Sequence, residues 1–141
     1  MPQTVLIPYH VSLIPLEKER IMKKRILIVD DEERIRKVYK RFLYAVSIKL
    51  YDVTDTADAE EATECLIRHQ FDLVILDLRM AGVDGRELFA IIKECNPQQK
   101  VIVASVYPID RQRRMVPAAD DYFDKADGPI RLLEAVTRNM A

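Results

Sequence analysis

At 141 residues the chain is long enough for one domain with a proper core. Hydrophobic residues make 49% and charged residues 32%, and the net charge of -1 gives no global pull toward nucleic acid or a membrane surface. No apolar stretch approaches the roughly 20 residues of a membrane span, and with three glycines neither a P-loop nor a dinucleotide fingerprint occurs.

Residues 1–21 differ in character from the rest of the chain. Pro2, Pro8 and Pro15 argue against a helix or a central strand there. The segment also lacks the basic start and long apolar centre of a signal peptide. Met22-Lys23-Lys24-Arg25, directly before a strand, suits the natural beginning of a chain. Residues 1–21 are therefore expected to be either a loosely ordered extension or an upstream over-extension of the reading frame.

Arg25 to Val29 is an all-aliphatic strand that runs into Asp30, Asp31, Glu32 and Glu33. A helix comes next, with Ile35, Val38, Phe42 and Val46 at helical spacing and Tyr39 and Leu43 beside them. Its early acids favour the helix dipole, and Arg36, Lys37, Lys40 and Arg41 are expected to solvate the outer face. Residues 48–54 read as a strand. Asp55-Thr56-Ala57-Asp58 then offers caps to a helix through about His69. Its inner face is expected to be Ala62, Cys65, Leu66 and either Ile67 or His69. His69 reads as a helix-end residue rather than a ligand.

Leu73-Val74-Ile75-Leu76 is a run of four aliphatic residues that closes on Asp77. Such a run without alternation suits a strand buried on both faces of a parallel sheet. Leu78 to Gly85 is a loop rich in turn residues. Leu88, Ile91, Ile92 and Cys95 mark a helix stopped by Asn96-Pro97. Lys100 to Ala104 is another buried-type strand, ending at Ser105. From Val106 to Asp120 only a weak helix is expected, started by Pro108 and broken by Pro117. Asp121 to Asp124 is a short strand ending at Lys125. Gly128-Pro129 opens the last helix, with Ile130, Leu133, Val136 and Met140 facing inward. Cys65 and Cys95 are not spaced for zinc or a disulfide framework and read as reduced thiols half-buried on helices of a cytoplasmic protein.

Five strands alternating with four good helices and one poor one imply a doubly wound α/β fold, a parallel sheet with helices on both faces. At the carboxyl ends of those strands stand Asp30 and Asp31, Asp77, Ser105 and Lys125. That edge is where open α/β sheets bind ligands. Alone, each has a bland reading: a strand-end cap, a turn serine, a solvated lysine. Falling together at one sheet edge, they point to chemistry. Three carboxylates in one cleft need a cation, and hard oxygens with room for water suit Mg²⁺. A carboxylate there could attack phosphorus, with lysine and hydroxyl donating to the phosphoryl oxygens.

From Met22 the chain resembles the receiver domain of two-component response regulators, of the stand-alone, chemotaxis-regulator-like type. The resemblance rests on Ile26 to Glu32, on Leu73 to Met80 with Gly82 and Asp84-Gly85, and on Asp121 to Lys125, in order and at family-like spacing. It covers nearly all of residues 22–141 and implies a flavodoxin-like sheet of order 2-1-3-4-5. It implies that Asp77 is the phosphoacceptor for a histidine kinase or histidine phosphotransfer protein. Asp31 and Asp77 would bind Mg²⁺ directly and Asp30 largely through water. The Arg79 backbone carbonyl would complete the protein ligands. Lys125 would hold a phosphoryl oxygen, Ser105 would be the switch hydroxyl and Tyr122 the switch aromatic.

Three positions depart from the family pattern. Ala126 comes after the lysine in place of proline, so a trans bond or an altered loop is expected there. Ala81 replaces a loop proline, with a looser loop expected. Ala118-Ala119 stands where a glycine next to alanine is common. Arg79 and Tyr107 lie where the family tunes phosphoryl lifetime. The expected protein is a stand-alone, cytoplasmic receiver, a monomer or weak homodimer, that acts on a downstream protein target. Neither direct nucleic-acid binding nor membrane insertion is expected. A fragment of a longer kinase or regulator, a pseudo-receiver that only binds partners, and a Mg²⁺-dependent phosphohydrolase are the alternatives. Arg79 stands where haloacid-dehalogenase-type hydrolases place a second aspartate.

Overall fold

The computed structural model describes residues 23–47 and 49–140. The expected extension, residues 1–21, lies outside them. Five strands form one parallel sheet: β1 Lys24–Val29, β2 Tyr51–Thr56, β3 Leu73–Leu76, β6 Val101–Ser105 and β7 Asp121–Asp124. Their order is β2-β1-β3-β6-β7, which is the expected 2-1-3-4-5 once the intervening hairpin is set aside. That hairpin pairs β4, Arg79–Met80, with β5, Val83–Asp84, antiparallel.

The helices are α1 Glu33–Ser47, α2 Ala59–Arg68, α3 Gly85–Cys95, α4 Ile109–Met115 and α5 Pro129–Met140. Alternate strand residues point to opposite faces, so the aliphatic runs feed two cores. Leu27, Val29, Val74, Leu76, Val101 and Val103 pack with Ala62, Leu88, Ile92 and Val116, from α2, α3 and the end of α4. Ile26, Ile28, Leu73, Ile75, Ile102 and Ala104 pack with Tyr39, Leu43, Leu132 and Val136, from α1 and α5.

Register brings the polar residues together. Val29 pairs with Leu76, and Leu76 with Val103. The next residues, Asp30 and Asp77, therefore leave the sheet side by side. Ser105 pairs with Asp124, so Lys125 emerges one step beyond. The caps obey local chemistry. Asp58 accepts from Glu61 N at 2.8 Å, and the Glu61 carboxylate accepts from Ala57 N at 2.8 Å, a reciprocal cap of the capping-box type. Asp84 caps α3 by accepting from Arg86 N at 2.9 Å.

Several expectations are corrected. β2 spans Tyr51–Thr56 rather than 48–54; Ile48 is outside the described residues. Asp55 and Thr56 continue the strand because they pair with Ile28 and Val29. The Thr56 hydroxyl also donates to Ile28 O at 3.1 Å. Val46, Ile67, Ile91 and Ile130 are exposed rather than inward. His69 is exposed too, and its backbone caps α2. Phe89, Leu132 and Ala135 are buried instead; Ala135 is too small to advertise itself in a periodicity. Cys95 is exposed and Cys65 partly buried, both as free thiols. Arg36 and Lys40 do not solvate an outer face. They converge on Asp55, each at 3.0 Å. No cis peptide occurs among the described residues, so Lys125–Ala126 is trans, within a 3₁₀ turn over Lys125–Asp127.

The loop that carries the site residues beyond β3 is held by a close backbone approach. A Cβ on Gly85 would sit 2.5 Å from Leu78 Cα and 2.8 Å from Leu78 O. Gly82 has φ +73° in open space. Gly85→Ala is therefore expected to cost about 2–3 kcal/mol, by overpacking against backbone. Gly82→Ala is expected to cost only about 1 kcal/mol, for the left-handed conformation. Urea unfolding of the two variants measures the difference.

Candidate functional site: an acidic cleft at the carboxyl edge of the sheet

An open cleft of about 590 Å³ lies over the carboxyl ends of β1, β3 and β7. Asp31, Glu32, Asp77, Arg79, Met80, Val106 and Lys125 are among the residues that line it. One carboxylate oxygen from each of Asp30, Asp31 and Asp77 lies within 4.8 Å of the others. Asp30 and Asp77 are buried, and Asp31 is exposed.

Each carboxylate is oriented by a backbone N–H. Asp30 Oδ1 accepts from Glu32 N at 2.9 Å, Asp31 Oδ2 from Ala81 N at 2.9 Å and Asp77 Oδ1 from Arg79 N at 3.1 Å. A proline at position 81 would have no N–H to give, so Ala81 adds a tie from the loop to Asp31. Lys125 Nζ donates to Asp30 Oδ2 at 2.7 Å and lies 3.2 Å from Asp77 Oδ2.

Burial pushes the Asp77 carboxyl up from 3.8 to about 6. Lys125 and the Arg79 N–H oppose this, and the neighbouring Asp30 adds to it. Burial would lower the Lys125 ammonium, but its bonds and charge contacts with Asp30 and Asp77 outweigh that and raise it. Tyr39, from α1, lies behind the cleft; burial first, and the carboxylates second, hold its phenol far above the ordinary range.

Of the residues singled out in the sequence, Asp30, Asp31, Asp77 and Lys125 come together. Arg79 lines the same cleft, with its guanidinium 5.7 Å from the Tyr107 ring centroid. Ser105 is fully buried, and its hydroxyl accepts from Tyr107 N at 3.2 Å. Tyr122 is buried in the core beside Val116, and its hydroxyl donates to Val116 O. Sequence reasoning misses Arg36. Its Nη1 donates to Asp30 O at 2.7 Å, so α1 pins the acidic turn from below. The acid at Asp55, aligned by pairing with Ile28, is the available signal. Gln112 is also missed, and nothing in its spacing marks it.

Three carboxylates against one ammonium leave the cluster net negative. The donors are hard oxygens, one of them exposed at an open cleft. That set fits a small divalent cation such as Mg²⁺.

The sheet order, with an acid triad and a lysine at its carboxyl edge, defines a flavodoxin-like α/β domain with an acidic site at its strand ends. The chain belongs to the response regulator receiver domain family of two-component signal transduction, whose model matches residues 26–137. It is 36% identical over 124 residues to response regulator GtcR of Aneurinibacillus migulanus, covering 85% of this chain and 48% of that protein. The chain spans about half the length of the curated relatives it matches, which include a Bacillus subtilis transcriptional regulatory protein, YvrH. Among solved structures it is similar to response regulator TrrA of Thermotoga maritima in complex with Mg²⁺-BeF. The identity is 34% and the TM-score 0.73, covering 82% of this chain and 98% of that one. TrrA in complex with the histidine kinase ThkA matches at 33% identity and TM-score 0.74, covering 84% and 99%.

The raised Asp77 carboxyl has a defined sign in stability. Between pH about 4 and about 6 the folded protein keeps a proton that the unfolded chain has released. Ionising Asp77 therefore costs stability as pH rises through that window; the cost is absent below it and complete above it. In chelator, Asp77→Asn is expected to be more stable than wild type by about 1–3 kcal/mol at pH 7.5, and equal to it near pH 4. Denaturant melts at the two pH values read this. Apparent Mg²⁺ affinity, measured by calorimetry, is expected to fall as pH drops through about 6, because a protonated carboxyl is a poor ligand.

Proposed function

We propose that the receiver over residues 22–141 accepts a phosphoryl group on Asp77 from the phosphohistidine of a histidine kinase or phosphotransfer protein. The observation that carries this is a buried carboxylate opening on a cleft, 3.2 Å from a lysine and grouped with two further acids. An Asp77 carboxylate oxygen attacks phosphorus as the P–N bond breaks, and the imidazole nitrogen leaves with the electron pair and takes a proton. Above pH about 6 the carboxylate is ionised and nucleophilic. Lys125 shifts from pairing two carboxylates to holding a phosphoryl oxygen. Asp31, Asp77 and the Arg79 carbonyl would hold Mg²⁺, with Asp30 acting largely through water. When bound, the ion would neutralise charge on the phosphoryl group.

Ser105 serves as the switch hydroxyl and Tyr122 as the switch aromatic, shifting the population of a partner-binding surface. The ThkA–TrrA complex supports a kinase as donor, and the Mg²⁺-BeF complex of TrrA supports the cation. We read the output as contact with a downstream protein, from a cytoplasmic monomer or weak homodimer. Regulators about twice this length favour one competing reading, output through a further domain. The reading frame around the native gene separates the two.

Mass spectrometry after incubation with acetyl phosphate and Mg²⁺ is expected to show one base-labile phosphoryl group. It should be absent without Mg²⁺ and absent in Asp77→Asn. Lys125→Ala is expected to slow incorporation at least tenfold. An adduct persisting in Asp77→Asn would overturn the assignment.

A further inference from the structure

We propose that Gln112 is a positioning residue for the switch: its carboxamide holds the Ser105–Tyr107 turn against β7, and that hold changes when the Ser105 hydroxyl engages a phosphoryl group. The proposal rests on Asp77 being the phosphoacceptor.

Gln112 sits in the middle of α4 and is completely buried. An apolar residue would fill this place without desolvating an amide, so the amide has to be explained by what it touches. Its Nε2 donates to Tyr107 O at 2.6 Å and Phe123 O at 3.0 Å, and reaches Ser105 O at 3.5 Å. Three carbonyls around one end settle which end is nitrogen, since the flipped amide would set oxygen against oxygen. Two N–H groups thus serve three acceptors, one of them at the limit of reach. The other end, Oε1, is buried with no hydrogen-bond partner.

The bonded carbonyls belong to the two segments that carry the switch side chains. Ser105 bears the hydroxyl, and Tyr107 N donates to that hydroxyl at 3.2 Å. Phe123 adjoins Tyr122, the switch aromatic. The same helix turn closes the circuit. Val116 N donates to Gln112 O at 2.8 Å, and Val116 O takes the Tyr122 hydroxyl. One short helix therefore grips the hydroxyl's turn at Gln112 and the aromatic's tip at Val116.

Movement of the Ser105 hydroxyl toward Asp77 carries the Ser105 and Tyr107 carbonyls past the amide. The two N–H groups then redistribute among three acceptors, and Oε1 gains the chance of a backbone donor. An unsatisfied buried acceptor is costly, so a donor reaching Oε1 in the shifted arrangement would favour that arrangement. Gln112 thereby supplies the differential contact that a population shift requires.

The test is a double-mutant cycle read by Mg²⁺-beryllofluoride affinity, a phosphoryl mimic, with calorimetric titration of wild type, Gln112→Met, Ser105→Ala and the double variant. Gln112→Met is expected to weaken mimic binding three- to tenfold in the wild-type background and less than twofold in the Ser105→Ala background. Its effect on melting temperature should be the same in both. An unchanged affinity, or an equal loss in both backgrounds, makes Gln112 a static core residue and overturns the proposal. Wild type that fails to bind the mimic overturns the Asp77 reading, and this inference with it. If Gln112→Met does not fold, the side-chain NH₂ resonances of Gln112 in wild type decide. They are expected to shift on saturation with the mimic, and unmoved resonances overturn the proposal.

Discussion

The contact of Lys125 with Asp30 and Asp77 is the interaction on which the rest of the site depends. Two buried carboxylates at the ends of adjacent strands repel each other and are desolvated. One ammonium from the far edge of the sheet, at 2.7 and 3.2 Å, makes their burial tolerable. The contact spans the sheet from β1 to β7 and cannot form unless all the intervening strands pair in register. It is incomplete compensation, which is why Asp77 still titrates high. The imbalance leaves the cluster net negative, with capacity for a cation.

Around that contact the backbone does the orienting. Glu32, Ala81 and Arg79 each give an N–H to one acid, so each carboxylate is aimed before any ligand arrives. Arg36 holds the carbonyl of Asp30 from α1 while bonding Asp55 at the end of β2. Gly85 allows the β3–α3 connection to fold back on Leu78. The site is therefore built on strand ends and braced by loops, a preorganised arrangement.

The least regular part of the molecule is the segment between β6 and β7. α4 is short, opened by a proline without a side-chain cap and closed off by Pro117. It buries an amide where apolar packing would be cheaper. Such a short helix adds little stability of its own.

Much of this was legible in the chain. Three aliphatic runs without alternation require burial on both faces, which a parallel sheet covered by helices provides. Asp30, Asp77 and Ser105 come directly after such runs and Lys125 after the short strand Asp121–Asp124, so their shared edge is dictated by strand direction. Pro108, Pro117 and Gly128-Pro129 punctuate the second half through fixed φ and missing donors. Helix phase was less legible. Ile67, Ile91 and Ile130 are apolar yet exposed, and Ala135 faces the core, because the face a helix buries is chosen by the sheet it lands on. Arg36 and Lys40 read as solvated and Gln112 carries no signal, and only tertiary neighbours give them partners. By itself the sequence determined the elements, their alternation and the identity of the acids and the lysine. Only the tertiary structure decided which oxygens share that lysine, which carboxyl is forced up, and which buried amide ties the Ser105–Tyr107 turn to β7. Those depend on distances of a few ångströms between strands far apart in the chain, and local propensity carries no record of them.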